Sequence, residues 1–166
     1  MILDTNALSD WLANESAISE LISALEEPPI LTYVTLAEYR YGIAGSRYRV
    51  KIATQLKRLE SSLPVYYPDN STTYHYAEIA LTLKAKGKPI PQNDLWISAL
   101  AKQHDQPILT QDKHFSSIDG LEIVSWKLAV SSRQPEVLIL LLKPNVIQPS
   151  AVGLMPLNGF LDAFLK

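Results

Sequence analysis

No cysteine occurs in the 166 residues, which excludes disulfides, thiolate metal sites and thiol nucleophiles together. Any metal must then sit on oxygen or imidazole. Charge of one sign is also lacking. The formal net charge is −2, so no global field draws the chain onto nucleic acid or an anionic membrane, although a local patch can still do so. No apolar run approaches the roughly 20 residues of a membrane span, and Met1 leads straight into apolar sequence with no basic segment before it. A soluble, cytoplasmic protein without membrane contact is expected. Internal repeats and low-complexity segments are missing too. What is present is a hydrophobic fraction of 47%, enough for the core of one ordinary domain.

The first eleven residues, MILDTNALSDW, organise the rest. Residues 1–3 are too few for an apolar helix face, and Asp4, Thr5 and Asn6 are residue types that stop strands and cap helices. A helix is expected from Ala7, which places Asp4 at the carboxyl end of a strand, where open α/β sheets build ligand sites. A capping role for Asp4 or Asn6 explains the same pattern. Further strands are expected over 30–34, 65–67, 107–110 and 122–126, with helices over 15–27, 71–86 and 95–101. In the second of these helices Ala77, Ala80, Leu81 and Leu83 are spaced for burial, and Asn93 can cap the third. Thr35 and Glu38 have capping-box spacing for a further helix. Strands alternating with helices imply an α/β fold with a mainly parallel, right-handed five-stranded sheet flanked by helices.

A domain over 1–126 is therefore expected, followed by an atypical extension over 127–166. The extension holds four of the eleven prolines, an apolar run over 137–142 and a weak final helix over 157–165. Its apolar content is too high for a free tail and its prolines forbid one long helix. It is expected to pack on the domain of its own chain or of a dimer mate, with Phe160, Leu161 and Phe164 as an anchor.

Asp4, Glu38, Asp94 and Asp112 each fall just after a strand or at the start of a helix, and in a parallel sheet all such points open on one edge. Ionised carboxylates repel by about 1 kcal/mol per pair at 4 Å in water, and by more when partly buried, so a stable cluster needs a cation. Oxygen ligands point to Mg²⁺ or Mn²⁺, whose open positions bind phosphates and generate an attacking hydroxide. That chemistry suits phosphodiester hydrolysis. A second feature is the stretch 39–58, which carries Arg40, Arg47, Arg49, Lys51, Lys57 and Arg58 and no acid. With Tyr39, Tyr41 and Tyr48 interleaved, it suits contact with single-stranded RNA or with a protein partner. A solvated helix face would look the same.

Four motifs in order, ILDTN at 2–6, TLAEYRYG at 35–42, IPQNDLWISALA at 90–101 and LTQDKHF at 109–115, resemble the PIN domain, and most closely the VapC-type ribonuclease toxins of toxin-antitoxin pairs. The resemblance runs to about Trp126 and does not include the extension. It implies a Mg²⁺- or Mn²⁺-dependent endoribonuclease acting on RNA, with Asp4, Glu38, Asp94 and Asp112 as catalytic and metal-binding acids. It implies supporting roles for Asn6 and Thr110, a cognate antitoxin as partner, and a homodimer as the expected assembly. A structure-specific DNA nuclease with similar acids, and a non-catalytic partner-binding protein with a vestigial metal site, are the competing readings.

Overall fold

The computed structural model describes residues 1–127. In chain order these form β1 (Ile2–Leu3), α1 (Thr5–Leu12), α2 (Ser16–Ser23), β2 (Leu31–Thr32), α3 (Tyr33–Ile43) and α4 (Arg49–Ser62). They continue as β3 (Val65–Tyr66), α5 (Asn70–Ala85), α6 (Gln92–Gln103), β4 (Ile108–Leu109), a 3-10 turn at Lys113–Ser117, and β5 (Ile123–Val124). β1, β4 and β5 pair in that order and β2 pairs with β3, all in parallel. A bridge between Ile2 and Ile30 joins the two groups, with Leu3 N–H donating to the Ile30 carbonyl at 2.9 Å and Ile30 N–H to that of Met1 at 2.8 Å. The strands thus run β3-β2-β1-β4-β5, with β1 at the centre, as an α/β fold of five parallel strands predicts.

The strands are short and apolar because both faces are covered. Period-2 alternation sends Leu3, Leu31, Leu109 and Val124 into one core with Leu8, Ile18, Ile22, Leu36, Leu56 and Trp126. Ile2, Ile30 and Ile108 go into the other, with Ile79, Leu83, Ile97, Leu100 and Phe115. Each of these side chains contributes roughly 1.5–3 kcal/mol of transfer free energy when fully buried. The result is a three-layer sandwich, α1–α4 against one face and α5–α6 against the other.

Several local expectations are corrected. α3 starts at Tyr33 and its N-cap is Thr32, whose Oγ1 accepts from Thr35 N–H at 3.1 Å, so Thr35 and Glu38 form no capping box. The Thr35 hydroxyl instead donates to the Leu3 carbonyl at 3.0 Å, pinning α3 to the end of β1. That donation uses its one proton, so Thr32 is the donor in the 2.9 Å hydroxyl pair the two threonines make. α6 starts one residue before Asn93, with Pro91 at the N-cap, and Asn93 is no cap. On α5 the buried positions are Thr72, Ile79 and Leu83. Leu81 is 66% exposed and Ala77 is open as well. Gly87, at φ +66°, stops α5 where only glycine adopts that backbone without strain. The apolar run over 137–142, the helix over 157–165 and the anchor residues Phe160, Leu161 and Phe164 lie outside the described residues. Among the described residues no helix is long and apolar enough to cross a membrane.

Candidate active site

β1 ends at Leu3 and α1 begins at Thr5, so Asp4 sits on the carboxyl edge of the central strand and caps α1. Its Oδ1 accepts from Thr5 N–H at 2.7 Å. Its Oδ2 accepts from the Asn6 amide at 2.7 Å and from the Thr110 hydroxyl at 2.7 Å. Thr110 stands at the end of β4, next to β1, and this pairing lets residues 106 apart in sequence share an oxygen. The Thr110 hydroxyl also accepts from Asn6 at 3.1 Å and from Asp112 N–H at 2.9 Å. A carboxylate has about four acceptor sites, and three of those on Asp4 are taken. Asp4 is 5% exposed, and burial is the main reason its carboxyl lies above the usual range. The neighbouring Glu38 and Asp112 push it further, against the Thr110 and Thr5 hydrogen bonds.

Asp94 enters from the first turn of α6 and Asp112 from the loop after β4. Burial, with Asp4 and Asp112 adding like charge, raises the Asp94 pKa from 3.8 to about 6, and His114 opposes the shift. The His114 Nδ1 lies 3.2 Å from Asp94 Oδ2 and 3.1 Å from Asp112 Oδ1. One ligand atom from each of Asp94, Asp112 and His114 falls within 4.8 Å of the others. Glu38 lies on α3 and is held on both oxygens. Oε2 accepts from the Thr5 hydroxyl at 2.5 Å and Oε1 from the Asn93 amide at 2.7 Å. Asp4, Glu38, Asp94 and Asp112 all line one open cleft of about 980 Å³.

The compact three-atom group thus contains His114, while Asp4 and Glu38 border it, each fixed by donors. Sequence reasoning missed His114, Thr5 and Asn93. The only signal for His114 was its position two residues after Asp112, and the other two act through a partner far along the chain. The cationic residues do not join the cleft. Arg40 pairs with Glu60 at 2.6 Å, the Arg47 guanidinium lies 4.7 Å from the centre of the Tyr48 ring, and Arg49 and Lys51 are exposed at the start of α4.

Four carboxylates thus line one cleft at the carboxyl edge of a parallel sheet. The PIN domain model matches residues 1–121. The chain belongs to the PIN domain family. Within it, the chain is similar to ribonuclease VapC1 of Haemophilus influenzae strain R2866, 31% identical over 129 residues, covering 75% of this chain and 96% of that relative. It is similar as well to ribonuclease VapC5 of Mycobacterium tuberculosis, 32% identical over 124 residues, with 72% and 87% covered. Among solved structures, VapBC-1 of nontypeable Haemophilus influenzae superposes with a TM-score of 0.68 at 31% identity, covering 76% of this chain and 97% of that one. The PIN match stops short of residues 122–166.

The donor set fits a hard divalent cation. It offers carboxylate oxygens and one imidazole and no sulfur, a choice that suits Mg²⁺ and, because of the nitrogen, Mn²⁺. Burial first, and then the like charge of Asp4 and Asp112, raise the Asp94 pKa, and a bound cation would oppose both.

Proposed function

We propose that this PIN domain is a divalent-metal-dependent endoribonuclease, the toxin of a toxin-antitoxin pair. The observation that carries the reading is the cleft where Asp4, Glu38, Asp94 and Asp112 meet, an accumulation of negative charge that a bound divalent cation would offset. The names of the relatives, ribonucleases VapC1 and VapC5 and the VapBC-1 complex, support an RNA substrate and an antitoxin partner. Asp94 and Asp112 would hold Mg²⁺ or Mn²⁺, with His114 or Asp4 completing the set. When bound, the cation supplies charge neutralisation for the phosphodiester and for the water that attacks it. Asn6 and Thr110 fix the Asp4 carboxylate in one orientation. Thr5 and Asn93 do the same for Glu38, so both acids are preorganised.

The test is cleavage of single-stranded RNA and DNA oligonucleotides with Mg²⁺, with Mn²⁺ and with EDTA. Cleavage of RNA that needs metal and is lost in Asp94→Asn is expected. Metal-dependent cleavage of DNA in preference to RNA would favour the DNA nuclease, and no cleavage of either would leave the partner-binding protein. A second readout is independent of activity. Mn²⁺ should raise the thermal midpoint of the wild type and not that of Asp94→Asn. Asn93→Ala, which releases one of the two Glu38 oxygens, is expected to lower the cleavage rate about 10- to 100-fold, the usual effect of removing a residue that orients a metal-site carboxylate.

A further inference from the structure

Val34, Ala37, Glu38 and Tyr41 are spaced as i, i+3, i+4 and i+7 on α3, so they form one stripe of that helix, and all four line the acidic cleft. Tyr41 is 86% exposed, which leaves a large apolar ring unused at the cleft's lip. The other tyrosines of the basic stretch are occupied. Tyr39 packs against the core and Tyr48 lies against the Arg47 guanidinium. Further into the same cleft stand Tyr33 and Trp96, the latter fixed by Tyr76 with ring centres 4.4 Å apart.

The cleft has four acids and, among its described lining residues, no lysine or arginine. Among those residues a nucleic acid finds none of the cationic side chains that ordinarily grip the backbone. Stacking of bases on aromatic rings is the other general source of affinity for single strands, and every base has a face to offer. Resting on the ribonuclease reading above, we propose that Tyr41 is the stacking platform for a base of single-stranded RNA next to the phosphodiester held at the acids. Tyr41 follows Glu38 by three residues on the same stripe, about 4.5 Å along the axis, so the ring stands within reach of a base one nucleotide from that phosphodiester. Paired bases are already stacked on each other within their helix, so the device selects unpaired RNA over duplex. It carries little sequence preference of its own.

The experiment compares wild type, Tyr41→Ala, Tyr41→Phe and Tyr41→Leu in two assays. One is steady-state cleavage of a single-stranded RNA oligonucleotide with Mn²⁺. The other is fluorescence anisotropy of a labelled oligoadenylate with Ca²⁺ in place of Mn²⁺. Tyr41→Ala should raise both KM and the dissociation constant about 5- to 100-fold, the range measured for loss of one base–aromatic stack, with kcat falling less than KM rises. Tyr41→Phe should restore both to within about twofold and Tyr41→Leu should not, since the aromatic face, not the hydroxyl or apolar area alone, makes the contact. Binding of a duplex of the same composition should be indifferent to all three. Because the side chain is exposed, the thermal midpoint should not move. Equal KM and affinity for Tyr41→Ala and wild type overturn the proposal. So does a Tyr41→Ala protein that keeps RNA affinity but loses a co-expressed protein partner, which would make the ring a protein contact. Should the wild type bind oligoadenylate and cleave no RNA, the ribonuclease reading fails, and the Tyr41→Ala binding ratio still decides the stacking role.

Discussion

The Asp94 carboxyl holds its proton up to a pH of about 6 because it is buried beside Asp4 and Asp112. Its folded pKa lies above the ordinary 3.8, so between those two values the folded state binds more protons than the unfolded one. Stability then falls as pH rises through that window and is level above it. Without metal, Asp94 therefore opposes folding at neutral pH, the general cost of a preorganised charged site. In EDTA at about pH 7, Asp94→Asn is expected to be more stable than wild type by about 1 kcal/mol, since the site is partly open to water and screening absorbs the rest. The gain should vanish near pH 4, where the native acid is already protonated. Thermal melts of both proteins at the two pH values check this. A gain of equal size at both would assign it to packing instead of charge.

At the scale of elements, α5 shows how packing chooses a face that local spacing leaves open. Ala77, Ala80, Leu81 and Leu83 satisfy helical periodicity for more than one orientation. The helix turns Ile79 and Leu83 inward because these residues meet Ile97, Leu100 and Phe115 in the core behind the sheet. Leu83→Ala is accordingly expected to destabilise by about 2–5 kcal/mol. Leu81→Ala should change stability by no more than about 0.5 kcal/mol. Urea midpoints with unchanged m-values would measure both, and a reversal of the order would place the wrong face in the core. α3 makes a related point. Its start is set by Thr32 and by the bond from Thr35 to Leu3, a contact that reaches across to β1.

For the molecule as a whole, the described residues between Ile2 and Trp126 supply two cores, one on each face of the sheet. A chain ending at Lys127 is therefore expected to unfold as one cooperative domain. The extension over 127–166 still carries an apolar run too rich for a solvated tail. Its removal is expected to lower solubility or change the oligomeric state, as read by light scattering after gel filtration. A truncated protein that is as soluble as the full chain, with the same mass in solution, would remove the extension from any packing role.

What the sequence by itself determined is the part of the protein governed by short-range rules. Two-residue alternation, helical spacing and the turn chemistry of Asp4, Thr5 and Asn6 are local, so the α/β class and parallel strands could be read from them, and so could acids at the strand ends. Asp4 and Asp112 share an edge because a parallel sheet brings its strand ends together, a consequence of topology that the strand–helix alternation already contains, whereas Glu38 and Asp94 reach the cleft from α3 and α6. Only the tertiary structure decided what each acid touches. Asp4 meets Thr110 from 106 residues away. Asn93, which by spacing suits a cap, holds Glu38 across 55 residues, and His114 stands between Asp94 and Asp112. Those contacts depend on how far each helix is rotated and slid against the sheet. Rotation and slide are set by the fit of whole core surfaces, which no local pattern of residues encodes.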